Sequence, residues 1–362
     1  MNLLIYRIGQ LGDTVMALPA MWAVRNHFPR ARLTLLSDRH PRRRLISAAD
    51  LLKGSGVVDE FMSYRVDASR KGKMMGLVRL PLLLIALRMK RFDGIVYLAP
   101  SARTPAQVAR DREFFQLAGL KQFFGMSGFS PASPKCHGKP LVATLAEADL
   151  LLARLAADGI PVPSPGRGSL ELGLGAAEAE AVQRWVQESP SDGRRPWVGV
   201  APGSKMPAKR WPLDRFAEVV GKLVHEFDVW PVVFGGPEDA RSGAELIKAW
   251  GRGANAAGAL HVRAAACALQ RCLLFVGNDT GTMHLAASVA TPVVAVFSAR
   301  AAPGTWFPYG VEQRVFRSAV ECEGCGLTEC VERHNECLER ISPAEVTAAC
   351  HDLLSKRITY QL

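Results

Sequence analysis

The sequence predicts an α/β protein built on two doubly wound parallel sheets, and three observations carry that prediction. Short apolar runs alternate with amphipathic stretches along almost all of the 362 residues, the pattern of parallel strands covered by helices on both faces. Several of those runs end in glycine-bearing turns that lead into helical pattern, as open α/β sheets do at their ligand-binding edge. The Pro/Gly-rich stretch Pro161-Val162-Pro163-Ser164-Pro165-Gly166-Arg167-Gly168 divides the chain into halves of comparable size, each long enough for one sheet.

Taken in order, Leu3–Ile8 reads as a first strand and Thr14–His27 as a helix ending before Pro29. Further strands are expected at Leu33–Ser37, Gly94–Leu98, Val198–Ala201, Val229–Phe234, Leu273–Gly277 and Val293–Phe297. Helical spacing recurs at Leu145–Ala157, Ala176–Gln187, Leu213–Glu226 and Met283–Val289. Ser342-Pro343 opens a last helix with proline in its first turn. The expected organisation is an N-terminal unit over 1–168, a C-terminal unit over 169–340, and a helix over 341–362 packing back on the N-terminal unit.

Composition narrows the class. With 48% hydrophobic and 22% charged residues the chain can bury a substantial core. No segment approaches the roughly 18 apolar residues of a bilayer span. Met1–Arg7 lacks a basic stretch ahead of its apolar run and reads as a strand rather than a signal peptide. A cytoplasmic protein with reduced thiols is expected, since eight cysteines in this length do not suggest a secreted disulfide framework. The net charge of +11 is uneven: residues 1–100 hold 17 Lys or Arg against 7 Asp or Glu. Such a field attracts phosphates of nucleic acid, lipid or substrate. A solvated basic face serving solubility is an equal alternative from composition alone.

Four turns carry the chemistry. In Arg7-Ile8-Gly9-Gln10-Leu11-Gly12-Asp13-Thr14, two glycines follow a strand and an acid stands at the helix entrance. Asp13 there is a helix N-cap or a functional acid. Asp38 ends the second strand where a dinucleotide's ribose would be held, but the third glycine of that fingerprint is missing. In Gly277-Asn278-Asp279-Thr280-Gly281-Thr282-Met283-His284, an apolar run meets Asp-Thr-Gly and then a helix start, a natural site for a diphosphate. Thr280 and Thr282 offer hydroxyls there, and His284 falls within the first turn. Ala201-Pro202-Gly203-Ser204-Lys205 followed by Lys209-Arg210-Trp211-Pro212 places three cations within six residues, of which Lys205 and Arg210 could be merely solvated. Val233-Phe234-Gly235-Gly236-Pro237-Glu238-Asp239 sets carboxylates where a ribose could be held.

Together with Thr305-Trp306-Phe307-Pro308-Tyr309, these elements resemble glycosyltransferase family 9, the heptosyltransferase family, in the right order along nearly the whole chain. Thr282 and Ser298 depart from the proline and glycine common in that family. The resemblance implies a GT-B architecture, two Rossmann-like lobes facing a cleft, and an inverting transferase. Its donor would be a nucleotide-sugar, ADP-heptose first, held by the C-terminal lobe. It implies Asp13 as the base and Lys209 as the group offsetting leaving-group charge. Donor binding would fall to Ser204, Lys205, Lys209, Glu238, Asp279, Thr280, Gly281 and His284. Gly12, Arg42, Arg43 and Arg44 would meet a phosphorylated glycolipid acceptor of lipopolysaccharide core. Catalysis would need no metal.

Residues 69–91 mix cations with an apolar stretch interrupted by Pro81. They read either as a segment lying on an anionic inner-membrane leaflet or as a core-packed helix with basic flanks. Cys322, Cys325, Cys330 and Cys337, with His334 nearby, have the spacing of a structural zinc site; free thiols or a local disulfide are the alternatives. Cys136, Cys267, Cys272 and Cys350 read as core residues. Other readings are a different nucleotide-sugar donor on the same scaffold, a nucleotide-sugar epimerase, and a basic nucleic-acid-binding protein. At 7% aromatics the chain lacks the stacking surface that the last would need, so no nucleic-acid partner is expected.

Overall fold

The computed structural model describes residues 1–40, 45–66, 70–127, 129, 141–189 and 194–359, and divides into two compact units. The first takes the described residues up to 129 and Leu145–Gly173; the second takes 141–144 and the chain from Leu174 onward.

The N-terminal unit runs β1 (Asn2–Tyr6), α1 (Leu11–His27), β2 (Arg32–Arg39), α2 (Ala48–Leu52), β3 (Glu60–Arg65), α3 (Arg70–Lys90), β4 (Gly94–Tyr97), α4 (Pro105–Leu117), β5 (Gln122–Phe124) and α5 (Glu147–Ala157). Its five strands are parallel in the order β3-β2-β1-β4-β5. A central parallel strand is covered on both faces, so it needs an unbroken apolar run; Leu3, Leu4 and Ile5 of β1 supply it and are wholly buried. The helix α1 packs on α5, and Trp22 donates its indole N–H to the Glu171 carbonyl at 3.0 Å. Pro81 does not interrupt α3, which runs as one helix from Arg70 to Lys90.

The C-terminal unit runs α6 (Ala176–Glu188), β6 (Trp197–Ala201), α7 (Leu213–Phe227), β7 (Trp230–Val233), α8 (Ala240–Trp250), β8 (Ala254–Asn255), α9 (Val262–Leu269), β9 (Cys272–Asn278), α10 (Gly281–Ser288), β10 (Val293–Phe297), β11 (Gln313–Arg317), α11 (Glu336–Glu339) and α12 (Pro343–Thr359). Its six strands are again parallel, ordered β11-β10-β9-β6-β7-β8. Phe216, Val219, Val220, Leu223 and Val224 form one buried stripe of α7 at helical spacing.

The last helix packs on α7 and against β9 and β10, within the C-terminal unit. Val346, Cys350, Leu353 and Leu354 are buried in the same core as the α7 stripe. The valine and the two leucines each contribute about 1.5–3 kcal/mol when fully buried, which is what holds α12 there. Residues 141–144, which precede the expected boundary at 168, lie in the C-terminal unit, where Thr144 N–H donates to the Pro303 carbonyl at 2.9 Å.

Candidate functional site

In an open parallel sheet the loops part where the strand order reverses, and that crevice at the carboxyl ends of the strands receives ligands. The C-terminal unit reverses between β6 and β9. The turn after β6 holds Pro202, Gly203 and Ser204, and the turn after β9 holds Asp279 and Thr280. Asn278, wholly buried, joins the two. Its amide donates to the Pro202 carbonyl at 2.7 Å and its carbonyl oxygen accepts from Trp211 N–H at 3.1 Å.

That clamp sets Lys209, in a short 3-10 turn over Pro207–Lys209, against the end of β9. Lys209 Nζ lies 2.6 Å from Asp279 Oδ2, both side chains largely buried. Thr280 is the N-cap of α10, yet its hydroxyl caps no backbone group, and Thr280 Oγ1 has no hydrogen-bond partner. Three residues into α10, His284 is buried with Nδ1 likewise unpartnered, and its ring sits edge-on to Trp306 at 6.2 Å. Burial pushes its imidazole down to about 4, with Asp279 opposing and Lys209 adding to the shift, so the ring is neutral at pH 7. An uncapped helix start beside a lysine, with two unsatisfied polar side-chain atoms, suits an anionic group.

Of the other expected donor residues, Ser204 turns inward: its hydroxyl accepts from Met206 N–H at 3.2 Å and its carbonyl from Arg210 Nε at 2.7 Å. Lys205 and Glu238 are exposed. The neighbouring Asp239, rather than Glu238, is the carboxylate built into the turn. It accepts from Gly236 N–H at 2.9 Å, and its carboxylate lies where a Cβ on Gly203 or Gly235 would stand. Burial raises its carboxyl above the ordinary range, against the Gly236 N–H bond. The Gly-Gly-Pro-Glu-Asp run held that signal, because a carboxylate three residues after glycine can reach back to its N–H.

The N-terminal unit reverses between β1 and β4. Here Asp13 is not the N-cap of α1. Gln10 holds that position, and Asp13, three residues on, accepts from Gln10 N–H at 2.8 Å. Gly9 adopts φ +122°, and a Cβ there would meet the Asp13 side chain. Arg7, fully buried, donates to the Leu98 carbonyl at 2.7 Å and reaches Asp13 Oδ1 at 3.5 Å and Glu147 Oε1 at 3.6 Å. Arg154 completes this cluster: it is buried, donates to the Ala99 carbonyl at 2.8 Å and stacks over the Phe129 ring. Burial lowers its guanidinium to about 10, with Glu147 opposing. Asp13 keeps a quarter of its side-chain surface exposed. In the sequence Arg7 stands out only as part of the turn, and Glu147 and Arg154 carry no local signal, since they arrive from α5. Gly12 is buried in the first turn of α1. Arg42, Arg43 and Arg44 lie outside the described residues.

The four cysteines line one small cavity together with Ser298 and Arg333. All are free thiols, and burial pushes those of Cys322 and Cys337 up. Among the described residues no three His, Cys, Asp or Glu side chains are placed to hold a metal ion. Cys272 and Cys350 are buried as expected, Cys267 is half-buried, and Cys136 lies outside the described residues.

Residues 88–335 match the profile of Glycosyltransferase family 9 (heptosyltransferase). The chain belongs to that family. It is 32% identical over 171 residues to the lipopolysaccharide heptosyltransferase 2 of Salmonella typhimurium, covering 45% of this chain and 48% of that protein. The chain thus spans about half the length of the curated relatives it matches. The fold is similar over far more of its length. A family 9 glycosyltransferase from Veillonella parvula superposes with a TM-score of 0.72 at 20% identity, covering 98% of this chain and 97% of that one. The ADP-heptose lipopolysaccharide heptosyltransferase II of E. coli superposes at 0.67, also at 20% identity, covering 99% of each chain. The expected GT-B pair of doubly wound sheets is therefore present in this family 9 chain.

Proposed function

We propose that this chain is an inverting glycosyltransferase that moves heptose from ADP-heptose onto a phosphorylated glycolipid of the lipopolysaccharide core, working at the cytoplasmic face of the inner membrane. The observation that carries the reading is the start of α10, with Lys209 and Asp279 paired beside it and Thr280 Oγ1 and His284 Nδ1 unsatisfied. In the reaction, an acceptor hydroxyl oxygen attacks the anomeric carbon from the face opposite the diphosphate. The bond to the diphosphate oxygen breaks, and that oxygen leaves with the electron pair. Asp13 takes the hydroxyl proton. Lys209, the Thr280 hydroxyl and the N–H groups of the helix start offset the charge gathering on the diphosphate. Neutral His284 donates or accepts one hydrogen bond without adding charge, and exposed Glu238 holds the ribose. No step requires a metal.

The test is nucleotide release from a panel of ADP-, UDP-, GDP- and CMP-sugars, with and without lipopolysaccharide core lacking heptose. The expected result is ADP release only with ADP-heptose and acceptor together. Acceptor-dependent turnover of another donor would replace the substrate assignment, and release from none would overturn the activity.

A further inference from the structure

We propose that the second half of α3 docks this chain on an anionic lipid bilayer. Leu83, Leu84 and Leu87 turn toward the core of the N-terminal unit. At about 100° per residue, Leu82, Ile85 and Met89 lie on the opposite side of the helix, and they are 59%, 52% and 78% exposed. Water-facing positions of a helix ordinarily carry polar side chains. Here three large apolar ones form a stripe, which marks an interaction surface. Arg88 and Lys90, both exposed, flank that stripe on its two sides, and Lys90 Nζ is paired with Glu60 Oε2 at 2.7 Å. Arg88 Nε also donates to the carbonyl of Leu117 at 2.9 Å, and Leu117 is itself an exposed apolar residue.

The charge selects the occupant. Residues 70–91 contain seven Lys or Arg and no Asp or Glu. A second copy meeting this face through a two-fold axis would set cations against cations. An anionic bilayer satisfies both features: the apolar stripe enters the acyl boundary and the long basic side chains reach the phosphates around it. The helix lies on the surface rather than crossing it, since none among the described residues is long and apolar enough to span. A membrane surface suits the glycolipid acceptor proposed above, but the inference stands without it, because vesicle binding needs neither donor nor acceptor.

The experiment is co-sedimentation of the purified full chain with phosphatidylglycerol-containing vesicles and with phosphatidylcholine-only vesicles, at low and high salt. The wild type is expected to pellet with the anionic vesicles alone and to be released by salt. Leu82→Ser/Ile85→Ser/Met89→Ser and Arg88→Gln/Lys90→Gln/Arg91→Gln should each stay in the supernatant, with roughly a fivefold weaker partition for each cation removed. Single Met89→Ser serves if the triple variant does not fold. Wild-type protein that ignores anionic vesicles, or apolar variants that still pellet, would overturn the proposal. So would a wild-type dimer in solution that the apolar variants convert to monomer, which would assign the stripe to a second copy. Nucleotide release with a detergent-solubilised acceptor should be unchanged in these variants. Its absence in wild type would count against the transferase reading alone.

Discussion

The two sheets reverse strand order in the same way but finish their crevices differently. At the N-terminal reversal, Asp13 is held by Gln10 N–H and faced by Arg7, itself backed by Glu147. At the C-terminal reversal one ion pair is made, and beside it Thr280 Oγ1 and His284 Nδ1 are left without partners. The first arrangement keeps one carboxylate in place; the second leaves polar atoms for something that arrives. A proton acceptor and an anion site make just these opposite demands, because positioning requires internal partners and binding requires unmet ones.

The strongest way to break this contrast is Asp13→Ala. With ADP affinity unchanged within about twofold, turnover should fall about 10²–10⁴-fold, the usual worth of a general base. Calorimetry and single-turnover rates on one preparation would check it. Near-normal turnover would reduce Asp13 to its capping bond, worth about 1 kcal/mol. Next in size is Lys209→Ala, which removes a charged partner from the helix start and leaves Asp279 alone. ADP binding should weaken by about 10–100-fold, as for a lost charge-assisted hydrogen bond. Lys205→Ala, at an exposed position, should change it by less than about threefold. Equal losses at both lysines would mean that the anion sits elsewhere.

How far this contrast was legible in the sequence depends on which strands and contacts are concerned. The central strands β1, β6, β9 and β10 were visible because both their faces are buried and their residues are almost all apolar. The edge strands Glu60–Arg65, Gln122–Phe124, Ala254–Asn255 and Gln313–Arg317 were not, since they are short or mix polar residues into half-exposed positions. The turns carrying Asp13, Lys209 and Asp279 announced themselves through glycine and charge at strand ends. Glu147 and Asn278 did not, because each acts on residues distant in sequence: Glu147 lies 140 positions from Arg7, and Asn278 is 67 from Trp211 and 76 from Pro202.

A smaller effect sharpens the second crevice. Burial holds the imidazole of folded His284 at about 4, against 6.5 for an unburied ring. A depressed folded value stabilises the fold above the unfolded value, and that stability is lost as pH falls from 6.5 toward 4. The loss should reach about 3 kcal/mol across this window, and His284→Gln should flatten that part of a denaturation series. An unchanged pH dependence in the variant would show that the ring is solvated. Chelation should do least: brief EDTA treatment should leave turnover in the folded fraction within about twofold, since leaving-group charge is met by Lys209 and a helix start. Immediate loss in folded protein, restored by magnesium or manganese, would break the metal-free scheme.

The Asn278 clamp also bears on chemical ageing. Both halves of its amide are committed, one as donor to Pro202 and one as acceptor from Trp211. Deamidation would exchange a single NH2 for oxygen and leave the shape almost untouched. It would nonetheless turn a donor into a carboxylate oxygen facing the Pro202 carbonyl, in a place no water reaches. Two loops that now meet across the amide would be driven apart, carrying Lys209 away from Asp279. Asparagine followed by a small flexible residue is the usual victim of this reaction. Here Asp279 follows, and its backbone N–H is tied to the Val296 carbonyl at 3.1 Å, so a bond separate from the two that need the amide holds the nitrogen whose attack would remove it.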